Sequence, residues 1–372
     1  MTCVHSLTLQ NFRSYREARL QGLASSFVVL TGANGAGKTN LLEAVSFLSP
    51  GKGLRSADLP EVQNKLGSEM PWGVSAVVET EFGPIRIGTG RILGKERRAV
   101  HIQGEAVKSQ SVLSEYLSCL WLTPQMDRLF MEAAAARRRF LDRMIFAFDV
   151  GHSGRMTRYE NALSQRSRLL KEGKADSAWL DALEQQMVES GMAVAAARVE
   201  FVSRLGHVCQ TRGGADFPIA ELALSGFIEN KLGEISALKL EEMFLRSLAE
   251  SRAGDALSGG ASLGPHRSDF LVTYHEKQMP AGQCSTGEQK ALLIGLVLAH
   301  SDLIRAERGR APLLLLDEVA AHLDEARRAS LFDVLARNGG QVWVTGTDAS
   351  LFSAISQGAS FFVVEDGKIQ SR

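Results

Sequence analysis

Two stretches far apart in the chain have to meet. Phe27 to Leu30 form a short apolar run that leads into Gly32–Thr39, GANGAGKT, which fits G-x-x-x-x-G-K-[ST]. After it, Leu41, Leu42, Ala44, Val45, Phe47 and Leu48 recur at helical spacing. Strand, glycine loop and helix in that order make a phosphate cradle, because glycines let successive N–H groups curl around an anion and the helix start carries partial positive charge. Gly32, Ala33, Asn34, Gly35, Ala36, Gly37, Lys38 and Thr39 are the expected nucleotide contacts. Lys38 reaches the β and γ phosphates, and the Thr39 hydroxyl is expected on Mg²⁺. Near the other end, Leu313–Leu316 run directly into Asp317 and Glu318, as a fully buried parallel strand does. Ligands sit at the C-terminal ends of such strands, which places Asp317 to hold Mg²⁺ and Glu318 to activate water. One triphosphate needs both Lys38 and Asp317. Residues 1–126 and 255–372 are therefore expected to form one discontinuous nucleotide-binding head, with 127–254 inserted between them.

A second phosphate-binding element has two candidate spellings. Leu257-Ser258-Gly259-Gly260 matches the start of the LSGGQ signature of ATP-binding-cassette ATPases, and Ser285-Thr286-Gly287 is a poorer match. Such a signature works through free amides at the start of a helix, so it must open one. Gly264-Pro265 breaks any helix after Ser258, and Phe270 to Tyr274 favour a strand. After Ser285, in contrast, Leu292, Leu293, Leu296, Val297 and Ile304 continue a helical pattern up to Gly309. Ser285 and Gly287 are thus assigned the γ-phosphate. Ser285 with Glu288 also spells a capping box, a role that uses the same amides.

The remaining text predicts a mixed α/β architecture. Val74 to Gly104 alternate apolar and polar residues around glycines, an antiparallel side sheet. Residues 127–254 are alanine-rich and read as a helical arm, too short for a coiled coil whose halves exceed roughly 100 Å. A strand at Val342–Val344 precedes TGTD at Thr345–Asp348. Net charge is zero, with 42 Lys and Arg against 42 Asp and Glu, so any nucleic-acid affinity comes from local patches. Cys3, Cys119, Cys209 and Cys284 are too dispersed for a C-x-x-C zinc or redox site. No signal peptide or membrane-length apolar run is present, which predicts a cytoplasmic protein.

Phosphate loop, STGEQK, LLLLDE and HLDEARR stand in the order of an ABC-type ATPase head. With LTLQNFRSYREARL at the start and GPHRSD at Gly264–Asp269, the chain resembles the RecF family of bacterial recombination and repair ATPases, relatives of the chromosome-structuring SMC heads. That resemblance implies an ABC-type head with a helical arm and a weak DNA-stimulated ATPase. It implies an ATP-dependent homodimer in which Gly32–Thr39 of one copy face Ser285 and Gly287 of the other. The partners it implies are single-stranded, gapped and duplex DNA together with RecR and RecO, in replication restart and SOS induction. Gln125 or Asp127, in WLTPQMDRLF, stands where the family's Q-loop belongs, with Gln125 as the metal-side group. The rival reading is the ATPase subunit of a membrane ABC transporter. It shares the phosphate motifs but predicts a shorter helical insert and a histidine where Thr347 stands.

Arginine and lysine clusters occur at Arg91, Lys95, Arg97 and Arg98, at Arg137–Arg139 with Arg143, and at Arg158, Arg166, Arg168, Lys171 and Lys174. Each is a candidate phosphate-neutralising face, but a solvated face is the commoner role of such a cluster. His266 and Arg267 sit in a rigid Gly-Pro loop, either supporting the signature or meeting a ligand. Arg55 is a candidate regulatory arginine after the phosphate-loop helix.

Overall fold

A computed structural model of the chain describes residues 2–65, 70–94, 97–173, 176–213, 217–321, 323–355, 358–365 and 367–372. Lys95, Lys174 and His322, the last within HLDEARR, lie outside the described residues. The chain divides into two compact units, Met1–Asp127 with Val297–Arg372, and Arg128–Leu296.

The first unit is built on two six-stranded sheets. One is antiparallel: β1 (Cys3–Phe12) lies between β2 (Tyr15–Leu20) and β4 (Gly73–Thr80), and β5 (Gly83–Arg91), β6 (Arg98–Ile102) and β7 (Glu105–Ala106) continue it outward. The expected side sheet at 74–104 is present, widened by the two N-terminal strands β1 and β2. The other sheet centres on β3 (Phe27–Thr31), every residue of which is buried. It pairs in parallel with β14 (Ala359–Glu365) and β13 (Val342–Gly346), and β13 is followed outward by β12 (Leu313–Leu316) and β8 (Cys119–Leu122). Only β15 (Lys368–Ser371) runs antiparallel, at the far edge. Strands buried on both faces lose alternation, which is why β3 and β12 read as continuous apolar runs.

Helix α1 (Lys38–Ser46) joins the two sheets. Leu41, Leu42 and Val45 share one core with Leu7, Leu9 and Phe12 of the antiparallel sheet and with Val28, Leu30 and Trp343 of the parallel one. Within it Phe12 packs edge to face on Phe47 and on Trp72, which meet each other at a tilt. α7 (Glu325–Asn338), capped by Asp324, lies between β12 and β13 in the chain and brings Phe332 against Phe27.

The second unit holds α2 (Ala134–Phe148), α3 (Gly151–Glu172), α4 (Ser177–Arg212) and α5 (Ala237–Ser258). α4, at 36 residues, spans about 54 Å. Its inward stripe, Leu180, Leu183, Met187, Val188 and Ala195, packs with Tyr159 and Leu169 of α3 and with Leu240, Phe244 and Leu248 of α5. The expectation of an all-helical segment from 127 to 254 needs one correction. β9 (Ala220–Ser225) lies inside it and pairs antiparallel with β10 (Asp269–Tyr274), which in turn pairs with β11 (Met279–Pro280). β9 alternates burial with exposure and runs into Gly226, but no second strand follows across a short turn: its partner lies beyond α5. That pairing draws 255–296 into the second compact unit, whereas the sequence placed 255–372 with the head. α6 (Thr286–Arg308) crosses the division and ends at Gly309, φ +67°.

Candidate nucleotide site

The phosphate loop leaves β3 under tight backbone constraint. At Gly32, φ is +147° and a Cβ would overlap the Val364 carbonyl of the neighbouring strand. At Gly37, φ is +115° and a Cβ would stand 2.6 Å from the Tyr15 hydroxyl. Only glycine fits either position. Tyr15 is buried and donates its hydroxyl to the Gly37 carbonyl at 3.0 Å, so the N-terminal hairpin braces the loop from below. Asn40 adds a second brace, donating to Ser14 Oγ at 2.8 Å.

Lys38 folds over this loop, its Nζ donating to the Gly32 and Ala33 carbonyls at 2.7 and 2.9 Å. Burial lowers its pKa, and the carboxylates of Glu318 and Asp317 oppose that shift, which places all three groups in one electrostatic neighbourhood. The chain separation is closed directly. Thr39 Oγ1 lies 3.0 and 2.9 Å from the two carboxylate oxygens of Asp317. The register explains this, since β13 pairs with both β3 and β12 and so sets their C-terminal ends side by side.

Thr345, at the end of β13, locks the pair of acids. Its hydroxyl donates to Asp317 Oδ1 at 2.7 Å and accepts the Glu318 backbone N–H at 2.9 Å. Glu318 is held at φ +51°, a left-handed conformation that costs a non-glycine residue roughly 1–3 kcal/mol and persists where surrounding bonds enforce it. The sequence marked Thr345 only as the start of TGTD at a strand end. Tyr15 and Ser14 stand in the sequence only within the family-like stretch LTLQNFRSYREARL. Neither role has a local signal, because each depends on a partner from another strand.

Beside Gly35, Ala36 and Asn40 lies a cavity of about 460 Å³, lined also by Arg13, Ser14 and Lys65. Glu43 of α1 is fully buried beneath it and binds Arg13 through two bonds of 2.8 and 2.6 Å. Arg55 joins the same carboxylate at 2.8 Å and Asn40 Oδ1 at 2.8 Å. Arg55 is therefore attached to the phosphate-loop helix. Gln125 is exposed on the 3-10 helix Pro124–Met131, just past β8, and makes no hydrogen bond among the described residues.

In the second unit, Ser285 caps α6. Its N–H and hydroxyl donate to Glu288 Oε2, both at 2.8 Å, and its hydroxyl accepts the Glu288 N–H at 3.4 Å. Lys277, paired with Glu288, and the two Ser285 donors pull that carboxyl down to about 2. Gly287 is the second residue of the helix. Ser258 has the opposite setting: it is the last residue of α5, and Gly259 turns away in the left-handed region at φ +80°. A helix C-terminus presents carbonyls, the wrong sign for a phosphate.

His266 and Arg267 are engaged internally. His266 Nε2 lies 2.8 Å from the Ala261 carbonyl, which can only accept, so this nitrogen carries the proton and Nδ1 accepts from the Tyr159 hydroxyl at 2.6 Å. Burial lowers the pKa of His266 and favours this neutral form, although the Ala261 bond works against it. Arg198, buried, bonds the Pro265 carbonyl, Ser268 Oγ and both oxygens of Asp142. Burial alone would raise Asp142, but His152 and Arg198 hold it below the usual carboxylate range. Of the arginine clusters, Arg166 is no surface residue: it is fully buried between Glu184 and Asp255. Arg137 is paired with Asp269, and Arg138 donates to the Ser268 carbonyl.

The family described as RecF/RecN/SMC N terminal domain matches residues 3–370. The chain is 47% identical over 371 residues to the DNA replication and repair protein RecF of Allorhizobium ampelinum, spanning 99% of this chain and 98% of that one. It is 49% identical over 368 residues to the protein of the same name from Agrobacterium fabrum, spanning 98% and 97%. In fold it is similar to a solved structure of the recombination mediator protein RecF-ATPrS in the RecFOR pathway, with a TM-score of 0.87 at 22% identity, covering 100% of this chain and 98% of that one. The SMC head of Pyrococcus furiosus, bound to the C-terminal domain of ScpA, is a more distant likeness, with a TM-score of 0.54 at 16% identity over 100% and 96% of the chains. No helix among the described residues is long and apolar enough to cross a membrane.

Proposed function

The chain belongs to the RecF family of ATPase heads, and on that premise we propose that it is an ATP-gated DNA clamp of replication and recombinational repair. The observation that carries this reading is the junction of Thr39 with Asp317, made at 2.9 and 3.0 Å by residues 278 positions apart. It supports a nucleotide site assembled from both ends of the chain.

In this reading the amides of Gly32–Thr39 and the Lys38 ammonium hold the β and γ phosphates of ATP, and the cavity beside Gly35 and Ala36 takes the nucleoside end. Thr39 Oγ1 and the Asp317 carboxylate are hard oxygen donors suited to Mg²⁺, with Gln125 as a further metal-side group reached from the end of β8. Bound there, Mg²⁺ would neutralise phosphate charge. Glu318 accepts the proton of the attacking water as its oxygen bonds to the γ-phosphorus and the bond to the β–γ bridging oxygen breaks, its electrons leaving with ADP. Thr345 keeps Glu318 turned toward this event through the backbone bond to its N–H.

Ser285 and Gly287 at the N-terminus of α6 are assigned the γ-phosphate of a second copy, so ATP would close a homodimer around single-stranded, gapped or duplex DNA and hydrolysis would release it. RecR and RecO are the proposed protein partners, and the ATPase is proposed to be weak and DNA-stimulated. A transporter subunit would share the phosphate chemistry; the full-length family match favours the repair reading. Filter binding of gapped, single-stranded and duplex DNA with and without ATP tests it. ATP-dependent retention is expected, and equal retention without nucleotide would refute the gating.

A further inference from the structure

The first unit carries positive charge that its nucleotide site does not use. A cleft of about 690 Å³ is lined by residues that follow α1 and by the hairpin of β5 and β6. Among the described residues, Lys52, Arg91, Arg97 and Arg98 face it against one carboxylate, Asp58. Gly51 and Gly94 line it without side chains, so an anion can approach their backbone closely.

The four cations are of two kinds. Arg98 is built into the wall: Nη1 donates to the Phe47 carbonyl at 2.8 Å, and Nη2 donates to the Ser49 carbonyl and Gln110 Oε1, both at 2.9 Å. Its guanidinium carbon also lies 5.2 Å from the centre of the Phe47 ring. Arg91 is fixed by Gln63 at 2.9 Å. In both arginines the Nε–H is buried and has no acceptor among the described residues. Lys52 and Arg97 are exposed and make no hydrogen bond or ion pair among the described residues. Exposed lysines and arginines usually just face water. Here a concave surface sets four cationic side chains against one carboxylate among the described residues, and two of the four are exposed with no protein partner there, a combination that suits a polyanion.

We propose that this cleft seats the sugar–phosphate backbone of DNA. Its volume far exceeds one phosphate group. No aromatic side chain lines it among the described residues, so it offers nothing there for a base to stack on and reads the backbone without sequence. The position has a consequence for the nucleotide. Arg98 holds the carbonyls at the C-terminal end of α1, and Lys38 and Thr39 begin the same helix, so DNA in the cleft and ATP in the loop draw on opposite ends of one short rod.

The inference rests on the DNA-clamp reading and is tested separately from it. The full-length chain and a Lys52→Ala/Arg97→Ala variant are titrated with fluorescein-labelled gapped duplex, with ATP and Mg²⁺, over a range of NaCl. Removing two phosphate contacts makes the slope of log K against log salt shallower by about 2. Binding of a fluorescent ATP analogue stays unchanged, and the Lys52→Arg/Arg97→Lys variant keeps the original slope. Unaltered slopes in the alanine variant overturn the cleft and leave the clamp standing. If the unmodified chain retains no DNA, both fall. If the alanine variant loses binding of inorganic tripolyphosphate while DNA binding persists, the cleft takes a small anion and the proposal is again overturned.

Discussion

Replacing Thr345 with valine separates a hydroxyl from a shape. The side chain is fully buried, valine fills nearly the same volume, and the only change is loss of one oxygen that serves two neighbours. Glu318 loses the acceptor for its N–H, at 2.9 Å, and a buried unsatisfied donor costs about 1–3 kcal/mol. Asp317 loses a donor at 2.7 Å, and a hydrogen bond to a charged group is worth about 1.5–3 kcal/mol. Both losses pass through one atom and Thr39 still donates to Asp317, so they do not add in full; the expected destabilisation is about 3 kcal/mol. Thr345→Ser keeps the hydroxyl and deletes one methyl, at about 1 kcal/mol. Urea denaturation followed by circular dichroism measures both variants. Turnover provides a second readout. Without its backbone bond Glu318 is free to leave φ +51°, and loss of even 1.4 kcal/mol of transition-state positioning slows hydrolysis about tenfold. Binding of ATP through Lys38 and the loop amides is expected to change little. Valine and serine variants of equal stability and equal turnover would show that the hydroxyl organises nothing.

Gly264→Ala should destabilise the second unit by roughly 2–4 kcal/mol, because φ is +131° and the new methyl overlaps the Tyr159 hydroxyl that donates to His266. Thermal unfolding of Gly264→Ala beside Tyr159→Phe reads it, and an alanine variant as stable as the parent contradicts the account. Ser285→Arg should abolish ATP-driven dimerisation and hydrolysis and spare ATP binding by the monomer, whereas Ser258→Arg, at a helix end rich in carbonyls, should spare dimerisation. Analytical ultracentrifugation with ATP distinguishes them, and equal damage from both refutes the choice of Ser285.

The parts of this protein that were legible in its sequence are those whose cause is local. GANGAGKT needs glycines at Gly32 and Gly37 for reasons of backbone angle, and LLLL before Asp317 records burial on both faces of β12. That Ser285 opens a helix and Ser258 does not was legible for the same reason, since the apolar spacing after Gly287 continues a helix and Gly264-Pro265 forbids one after Ser258. β9 was not legible, because a strand of six residues whose partner follows a 22-residue helix leaves no hairpin signature. Charge runs were the least reliable guide. Arg166 and Arg168 are two residues apart in one cluster, yet the first is sealed between Glu184 and Asp255 and the second is exposed. The GPHRSD loop showed its rigidity in Gly264-Pro265 but hid Arg198 and Tyr159, which come to it from other helices.

The central claim is that ATP joins two copies through Thr39, Asp317 and Glu318 of one and Ser285 of the other. Glu318→Gln keeps the side-chain shape and removes the carboxylate proposed to accept the water's proton, so ATP should be bound and not consumed. Multi-angle light scattering of this variant with ATP and Mg²⁺ should show a stable dimer that forms with ATP and is absent with ADP. A Glu318→Gln chain that binds ATP at full stoichiometry and stays monomeric would contradict the account.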